Sequence, residues 1–410
     1  MKIIRKSSIA TSIHPVCVGP IATYVDRFAE FLAGEDYAPP TIKFKCALIA
    51  DLSRWLKQRR APLAKLDEER LTQFHADHRR SIGRGDASTG HQLLAFLRSL
   101  GAIPALPPRM DRTAVDRLVR DYGEFLSSER GLARTTVMSY LPIVRRFLTE
   151  HFGGEALRLQ DLRPQDLHRF ILRQGRRVSR THAGTAVTAL RSFLRFLRQR
   201  GAIQTDLAAA LFGVARWRLS HLPKSLPPEQ VEQLLRCCDR RTPSGQRDYA
   251  ILMILARLGL RGGEVLAMTL DDLDWERGEI VVRGKGQRWE RLPLPKDVGE
   301  ALVRYLRYVR PVCSTRTVFI RMKAPRRGLR LSAICGVVRR ALKRAGLNPD
   351  FKGAHLLRHS LATHMLRRGA SLGEIGQLLR HRQPTTTQIY AKVDIEALRH
   401  IALPWMGDAS

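Results

Sequence analysis

Six side chains in the C-terminal part of this 410-residue chain have the types and order for one reaction. They are Arg261, Lys285, His355, Arg358, His381 and Tyr390. Arg261 lies in Arg257-Leu258-Gly259-Leu260-Arg261-Gly262-Gly263-Glu264, where glycines bracket it between two helical patterns. It should project from a tight turn, and Gly262-Gly263 should let a phosphate approach the backbone. Lys285 marks the tip of a hairpin, Gly284-Lys285-Gly286. In His355-Leu356-Leu357-Arg358-His359 the spacing of three puts His355 and Arg358 on one helix face. His381 follows an apolar helix, and Tyr390 comes nine residues later. Taken singly, each has a bland reading as a turn residue, a core aromatic or a solvated cation. Together they make a site of two Arg, one Lys, two His and one Tyr, with neither a carboxylate pair nor a metal-ligand cluster. His355 and His359 stand four apart but lack the Glu of the zinc-protease pattern. The set suits attack by a phenol oxygen on a phosphodiester, with the developing charge held by guanidinium groups.

The rest of the chain must place these residues on a polyanion. Lys and Arg number 71 against 38 Asp and Glu, a formal charge of +33 with pI near 11.1. The 44% hydrophobic content is that of a foldable chain. A globular protein this basic attracts polyanions, nucleic acid first and anionic membrane second. Ile251–Ala256 is too short an apolar run to span a bilayer. Membrane binding also lacks a basic amphipathic helix beside an apolar anchor. The first residues lack the apolar core of a secretion signal, and the six cysteines (17, 46, 237, 238, 313, 335) read as reduced thiols. A cytosolic protein is expected.

Two basic stretches contain no acid. Residues 173–200 carry Arg173, Arg176, Arg177, Arg180, Arg191, Arg195, Arg198 and Arg200. Residues 321–344 carry nine basic residues, among them Arg326, Arg327, Arg330, Arg339 and Arg340. With Arg216, Arg218 and Lys224 of the linker, these are the candidate phosphate contacts, although a charge run is more often a solvated face.

Two helical blocks repeat one another. Glu30-Phe31-Leu32, Thr41, Leu66, Phe74 and Gly101-Ala102-Ile103 match Glu124-Phe125-Leu126, Thr135, Leu162, Phe170 and Gly201-Ala202-Ile203. In the second block Val115, Leu118, Val119, Tyr122 and Leu126 share a face. Thr135-Thr136 should cap the next helix, with Pro142 near its start and Met138, Leu141, Val144, Phe147 and Leu148 inward. Val187, Leu190, Leu194 and Leu197 should face inward from the last helix, with Arg191, Arg195 and Arg198 opposite. Later helices are expected from Pro228 to Leu235 and from Arg247 to Leu258, and paired strands at Glu279–Arg283 and Glu290–Leu294.

The order Arg261, Lys285, His355-x-x-Arg358, His381, Tyr390, with steps of 24 from the first Arg to the Lys and 23 from Arg358 to His381, resembles the catalytic domain of tyrosine recombinases, the family of phage integrases and Xer recombinases. The likeness is strong over 220–405 and extends to 111–205, which is similar to the family's core-binding domain. The resemblance implies a mainly α fold with a small β-hairpin in the catalytic domain, arranged as a C-shaped DNA clamp. Its parts would be an N-terminal core-binding-like module (1–106), a SAM-like core-binding domain (107–212), a basic linker (213–228), a catalytic domain (229–393) and a tail (394–410) docked on a neighbouring protomer. Tyr390 would form a 3′-phosphotyrosine, Arg261 and Arg358 would hold non-bridging oxygens and Lys285 would protonate the leaving 5′ oxygen. His381 would hydrogen-bond the phosphate, and His355 would assist proton transfer at the tyrosine. No cofactor, metal or ATP is implied. The implied partners are double-stranded DNA at specific sites, dimers, a tetramer on DNA with a Holliday-junction intermediate, and other recombinases of the same mobile element, whether in integration or transposition. A type IB-like topoisomerase and a non-catalytic DNA-binding regulator are the rival readings. The chain departs from the family pattern at Arg380, where the family often has Gly, and in its extra N-terminal repeat.

Overall fold

The computed structural model describes residues 17–77, 84–106, 113–153, 156–213, 223–284, 289–381 and 383–393. Lys285, Arg216, Arg218 and the tail 394–410 lie outside the described residues. The described chain is mostly helical, with one three-stranded antiparallel sheet. Met1–Pro104 groups with His221–Ser410 in one compact unit, and Ala105–Ser220 forms the other. No helix among the described residues is long and apolar enough to cross a membrane.

The repeat is visible in the element order. The first copy comprises α1 (Val25–Gly34), α2 (Pro39–Gln58), a 3₁₀ turn, α3 (Glu68–Asp77) and α4 (Arg84–Ser99). The second has α5 (Ala114–Glu124), α6 (Arg134–Phe152), a 3₁₀ turn, α7 (Pro164–Arg177) and α8 (Arg180–Gln199). The helix pairings match too: α1 on α2, α2 on α4 and α3 on α4 correspond to α5 on α6, α6 on α8 and α7 on α8. Phe28, Phe31 and Phe96 form an aromatic triad with centroids 5.2–6.0 Å apart. Tyr122, Phe125 and Phe196 form its counterpart at 5.1–6.5 Å. Each copy has its own buried core. Each last helix ends at a left-handed glycine, Gly101 at φ 68° and Gly201 at φ 70°, after which Ile103 or Ile203 turns back into the core.

Three local expectations in the second copy are corrected. Thr135 and Thr136 lie inside the first turn of α6, because Ala133 is its N-cap. Pro142 sits in the helix interior. Met138 is exposed, since the inward stripe begins at Val137 and continues through Val144, Phe147 and Leu148. The inward faces of α5 and α8 otherwise agree with the periodicity, with only Leu118 half-buried.

In the C-terminal part, α9 (Pro228–Arg236) leads to α10 (Pro243–Arg257), which starts a turn earlier than its apolar run because Thr242 accepts the Gly245 N–H at 3.1 Å. The short α11 (Gly262–Ala267) precedes β1 (Leu273–Asp274), β2 (Glu279–Arg283) and β3 (Trp289–Pro293). The hairpin register pairs Arg283 with Trp289 and Glu279 with Pro293. Strand β1 adds a two-residue edge too short to show as alternation. Next come α12 (Lys296–Tyr308), α13 (Leu331–Arg344), α14 (Ala354–Arg367), α15 (Leu372–Leu378) and α16 (Pro384–Thr387). Apolar on nearly every side, α10 is the central element and packs against α12, α13 and α14.

The acid-free stretches acquire acids from elsewhere in the fold. Arg173 pairs with Glu150 (3.2 Å), Arg198 with Asp206 (2.9 Å) and Arg200 with Glu129 (3.0 Å). Arg191 donates to the Leu211 carbonyl at 2.6 Å, so it fastens the chain after α8 and does not stand free. Arg327 pairs with Glu35 (2.6 Å), Arg340 with Asp248 (3.0 Å) and Lys224 with Asp350 (2.8 Å). Arg326 donates to the Val312 carbonyl at 3.5 Å. Arg176, Arg177, Arg195, Arg330 and Arg339 are exposed and make no ion pair among the described residues. Arg180 opens α8.

The shared C-terminal turns give a direct check on the repeat. At Gly101 and at Gly201 a side-chain Cβ would meet no atom within 4 Å, so alanine at either costs only the left-handed backbone penalty of about 1–2 kcal/mol. Hydrogen exchange of the α4 and α8 amides should show similar drops in protection for Gly101→Ala and Gly201→Ala. A drop in one copy alone would mean that the two turns are not equivalent.

Candidate active site

The turn between α10 and α11 is built around Gly259 and Arg261. Gly259 is left-handed (φ 59°), and a Cβ there would lie 2.8 Å from the Leu379 side chain. Arg261 is extended and caps α11. Its backbone N–H donates to Glu264 Oε2 (2.8 Å) and its Nη1 to Glu264 Oε1 (2.7 Å). The guanidinium is thus aimed by a carboxylate one turn away while remaining 38% exposed.

Arg358, on α14, is buried. It donates to the carbonyls of Gly259 (2.6 Å) and Leu379, tying the Arg261 turn to the end of α15. Burial, with Arg261 and Arg380 nearby, pulls its pKa down to about 10, so it stays charged at neutral pH. His355, one turn earlier, opens onto a cleft of about 1030 Å³ that is also lined by Arg261, Glu264, Arg380 and His381. Although its ring reaches the cleft, the surrounding protein and the charges of Arg358 and Arg261 lower its pKa. His381 accepts or donates at Nδ1 with Thr387 Oγ1 (2.7 Å), and burial plus the Arg358 and Arg261 charges pull it down to about 4.

Gly284 lines the same cleft, which brings the hairpin to its edge. Arg283 holds the base of that hairpin. It pairs with Asp272 (2.9 Å) and lies over the Trp289 ring (4.7 Å). Lys285 is the next residue in sequence and lies outside the described residues.

Tyr390 does not line the cleft. It is 1% exposed, in a small core with Ala362, Leu366, Ile375 and Leu379. Its hydroxyl is 2.8 Å from Nδ1 of His359. The histidine in contact with the tyrosine is therefore His359, whereas the motif pointed to His355. The reason is helical geometry: His359 is one residue beyond Arg358 and faces the 388–393 segment, while His355 is a turn away on the cleft side. Burial raises Tyr390 to about 12, and burial with His355 and Arg358 lowers His359 to about 4. Both shifts disfavour the charged forms, so the pair rests as neutral phenol and neutral imidazole.

Among the six motif residues, the fold gathers Arg261, His355 and His381 at the cleft and sets Arg358 and Tyr390 behind it. The motif omitted Glu264, His359 and Arg380. The spacing of Glu264, three after Arg261, is the capping-box interval and could have revealed it.

The family model described as Phage integrase family matches residues 224–396, and Phage integrase, N-terminal SAM-like domain matches 119–201. The integrase/recombinase y4rA of Sinorhizobium fredii is 44% identical over 411 aligned residues, covering 100% of both chains. The chain belongs to the phage integrase family of tyrosine recombinases. The tyrosine recombinase XerD of Mycobacterium tuberculosis is 34% identical, over 70% of this chain and 96% of its own. XerH bound to a palindromic difH substrate in a post-cleavage complex has the same fold, with TM-score 0.57 and 22% identity over 70% of this chain and 84% of that one. The lambda integrase dimer on a COC′ core site, residues 75–356, gives TM-score 0.52 and 19% identity over 67% of this chain and 94% of its own. Enzymatic activity follows from membership: the chain is a site-specific recombinase.

The neutral histidines make the recombinase acid-sensitive. His359 and His381 bind protons near pH 6.5 when unfolded and only near pH 4 when folded. Between those values the unfolded chain holds more protons, so stability rises with pH. Their contribution is fully present above pH 6.5 and is lost as pH falls toward 4. Melting temperature should drop through that window, and the drop should be shallower in the His359→Asn variant. An unchanged slope in that variant would refute the neutral buried state of His359.

Proposed function

We propose that the recombinase cleaves and rejoins double-stranded DNA through Tyr390. The observation that carries this reading is the Tyr390–His359 hydrogen bond set directly behind a cleft holding Arg261, His355 and His381. The Tyr390 oxygen attacks the scissile phosphorus and its proton passes to His359. The P–O5′ bond breaks, Lys285 protonates the departing oxygen, and a 3′-phosphotyrosine remains. Arg261 and Arg358 hold the non-bridging oxygens, with His381 and His355 donating beside them. For attack, Tyr390 must leave its apolar packing, so DNA binding draws the 384–393 segment toward the cleft. The diester anion also raises the affinity of His359 for the proton, which narrows the gap found in the free protein.

The 5′-hydroxyl of a second duplex then attacks the phosphotyrosine, giving a Holliday junction within a tetramer. Residues 107–212 and 229–393 each bind the duplex, joined by the linker 213–228, and the tail 394–410 docks on a neighbouring protomer. A mobile-element integrase fits the 44% relative named integrase/recombinase. The second copy supplies more of the grip than the first (1–106). Where α8 has the exposed Arg195, α4 has Ala95. The remaining match, Arg98, is held at 2.7 and 2.9 Å by Glu68.

Tyr390→Phe should bind DNA but form no covalent adduct on a suicide duplex. His359→Ala should lower the adduct rate by roughly 10²–10⁴-fold, more than His355→Ala does. A wild-type rate in His359→Ala would return the proton to His355.

Phosphate grip is tested separately. Replacing Arg176, Arg177 and Arg195 together by Ala should flatten the log–log salt slope of DNA binding by about 0.9 for each phosphate no longer neutralised. Arg191→Ala should mainly lower stability, because that side chain is occupied by the Leu211 carbonyl. An unchanged slope in the triple variant would remove α7 and α8 from the DNA surface.

A further inference from the structure

Arg380 is the residue at which this chain departs from the family pattern, and its surroundings are unusual. Its backbone is left-handed, φ 56°, the conformation in which glycine costs least. An arginine there carries a backbone penalty, and its side chain is only 4% exposed, which adds the cost of desolvating a guanidinium. Both costs are met by a specific contact. Nη2 of Arg380 donates to Glu264 Oε2 at 2.9 Å. Its Nε lies 3.9 Å from Glu290 at the start of β3 and is buried with no hydrogen-bond partner. Nη1 donates to the Leu378 carbonyl at 3.1 Å.

Glu264 is therefore shared. One oxygen takes Nη1 of Arg261, and the other takes the Arg261 backbone N–H together with Arg380. Burial would raise its carboxyl pKa, but the Arg261 N–H and the charges of Arg380 and Arg261 outweigh that, and the net shift is downward. Without Arg380, the second oxygen would keep the Arg261 backbone N–H but have one lone pair open to a second Arg261 side-chain N–H. A two-pronged carboxylate grip neutralises a guanidinium and fixes its plane on the carboxylate, which leaves fewer donors for a phosphate.

We propose that Arg380 is a positioning residue for Arg261. By occupying Glu264 Oε2 it limits that carboxylate to a single side-chain bond with Arg261 and keeps the other Arg261 donors turned to the cleft. The proposal rests on the reading of the cleft as the phosphate site. It places in the side chain of residue 380 a task that glycine at the same position could not perform.

The test uses the full chain and a suicide duplex. Arg380→Gly removes the side chain and suits the left-handed backbone, so the variant should fold at least as well as the wild type, which a thermal melt checks. It should cleave about tenfold more slowly or worse at saturating protein, with DNA affinity within about twofold of wild type. The same substitution in a Glu264→Gln background should cause little further loss, because the group it acts through is already altered. A wild-type cleavage rate in Arg380→Gly, or an equal loss in both backgrounds, overturns the proposal. Tyr390→Phe is run alongside. If that variant still forms adduct, the reading of the site has failed. If it does not, while Arg380→Gly cleaves normally, only the role given to Arg380 has failed.

Discussion

Gathering positive charge where water is scarce is the constraint on which this site depends. Arg358 and Arg380 are both buried, and Arg261 stands beside them. Three guanidinium groups repel one another, and the folded chain tolerates them because of Glu264 and a few carbonyl oxygens. The buried carboxylate holds Arg261 and Arg380, while the Gly259 and Leu379 carbonyls hold Arg358. These bonds also join the elements: the α10–α11 turn, α14 and the end of α15 meet at Arg358. Assembly of the site and closure of this part of the core are one event, since each charge can be buried only when its partner arrives.

The nucleophile is kept under the opposite condition. Tyr390 rests among aliphatic side chains, where a phenolate would be costly, against a histidine too poor a base to take its proton. The free recombinase therefore holds its cations ready and its nucleophile protonated. Such a division suits an enzyme whose covalent chemistry should begin only on a bound duplex.

Part of the cation count is committed within the fold, although the net charge is unchanged by such pairing. Several arginines that look free in sequence are paired with distant acids or bound to carbonyls, as Arg173, Arg198, Arg191 and Arg340 show. Exposed pairs of this kind are weak, about 0–1 kcal/mol, and can open to a phosphate. The unpaired Arg176, Arg177, Arg195, Arg330 and Arg339 need no such exchange. The two helical copies differ in the same respect: they share helices, pairings and an aromatic triad, but the basic face is developed on the second.

The sequence by itself determined the helical repeat, the hairpin and the order of the reacting groups. Periodicity and short motifs are local, and each of these features is written within a few turns or one loop. The inward faces of α5 and α8 could be read for that reason. The Pro142 expectation failed because the start of a helix depends on capping, and Ala133 gives no side-chain signal; the Met138 expectation failed because the inward stripe runs through its neighbour Val137. Only the tertiary structure decided that His359 and not His355 meets Tyr390, that Arg380 shares Glu264 with Arg261, and that Tyr390 lies off the cleft. The first two contacts join residues 31 and 116 positions apart. No spacing rule encodes them, because they depend on how α11, α14 and α15 pack, and on which buried charge can reach a partner once they do.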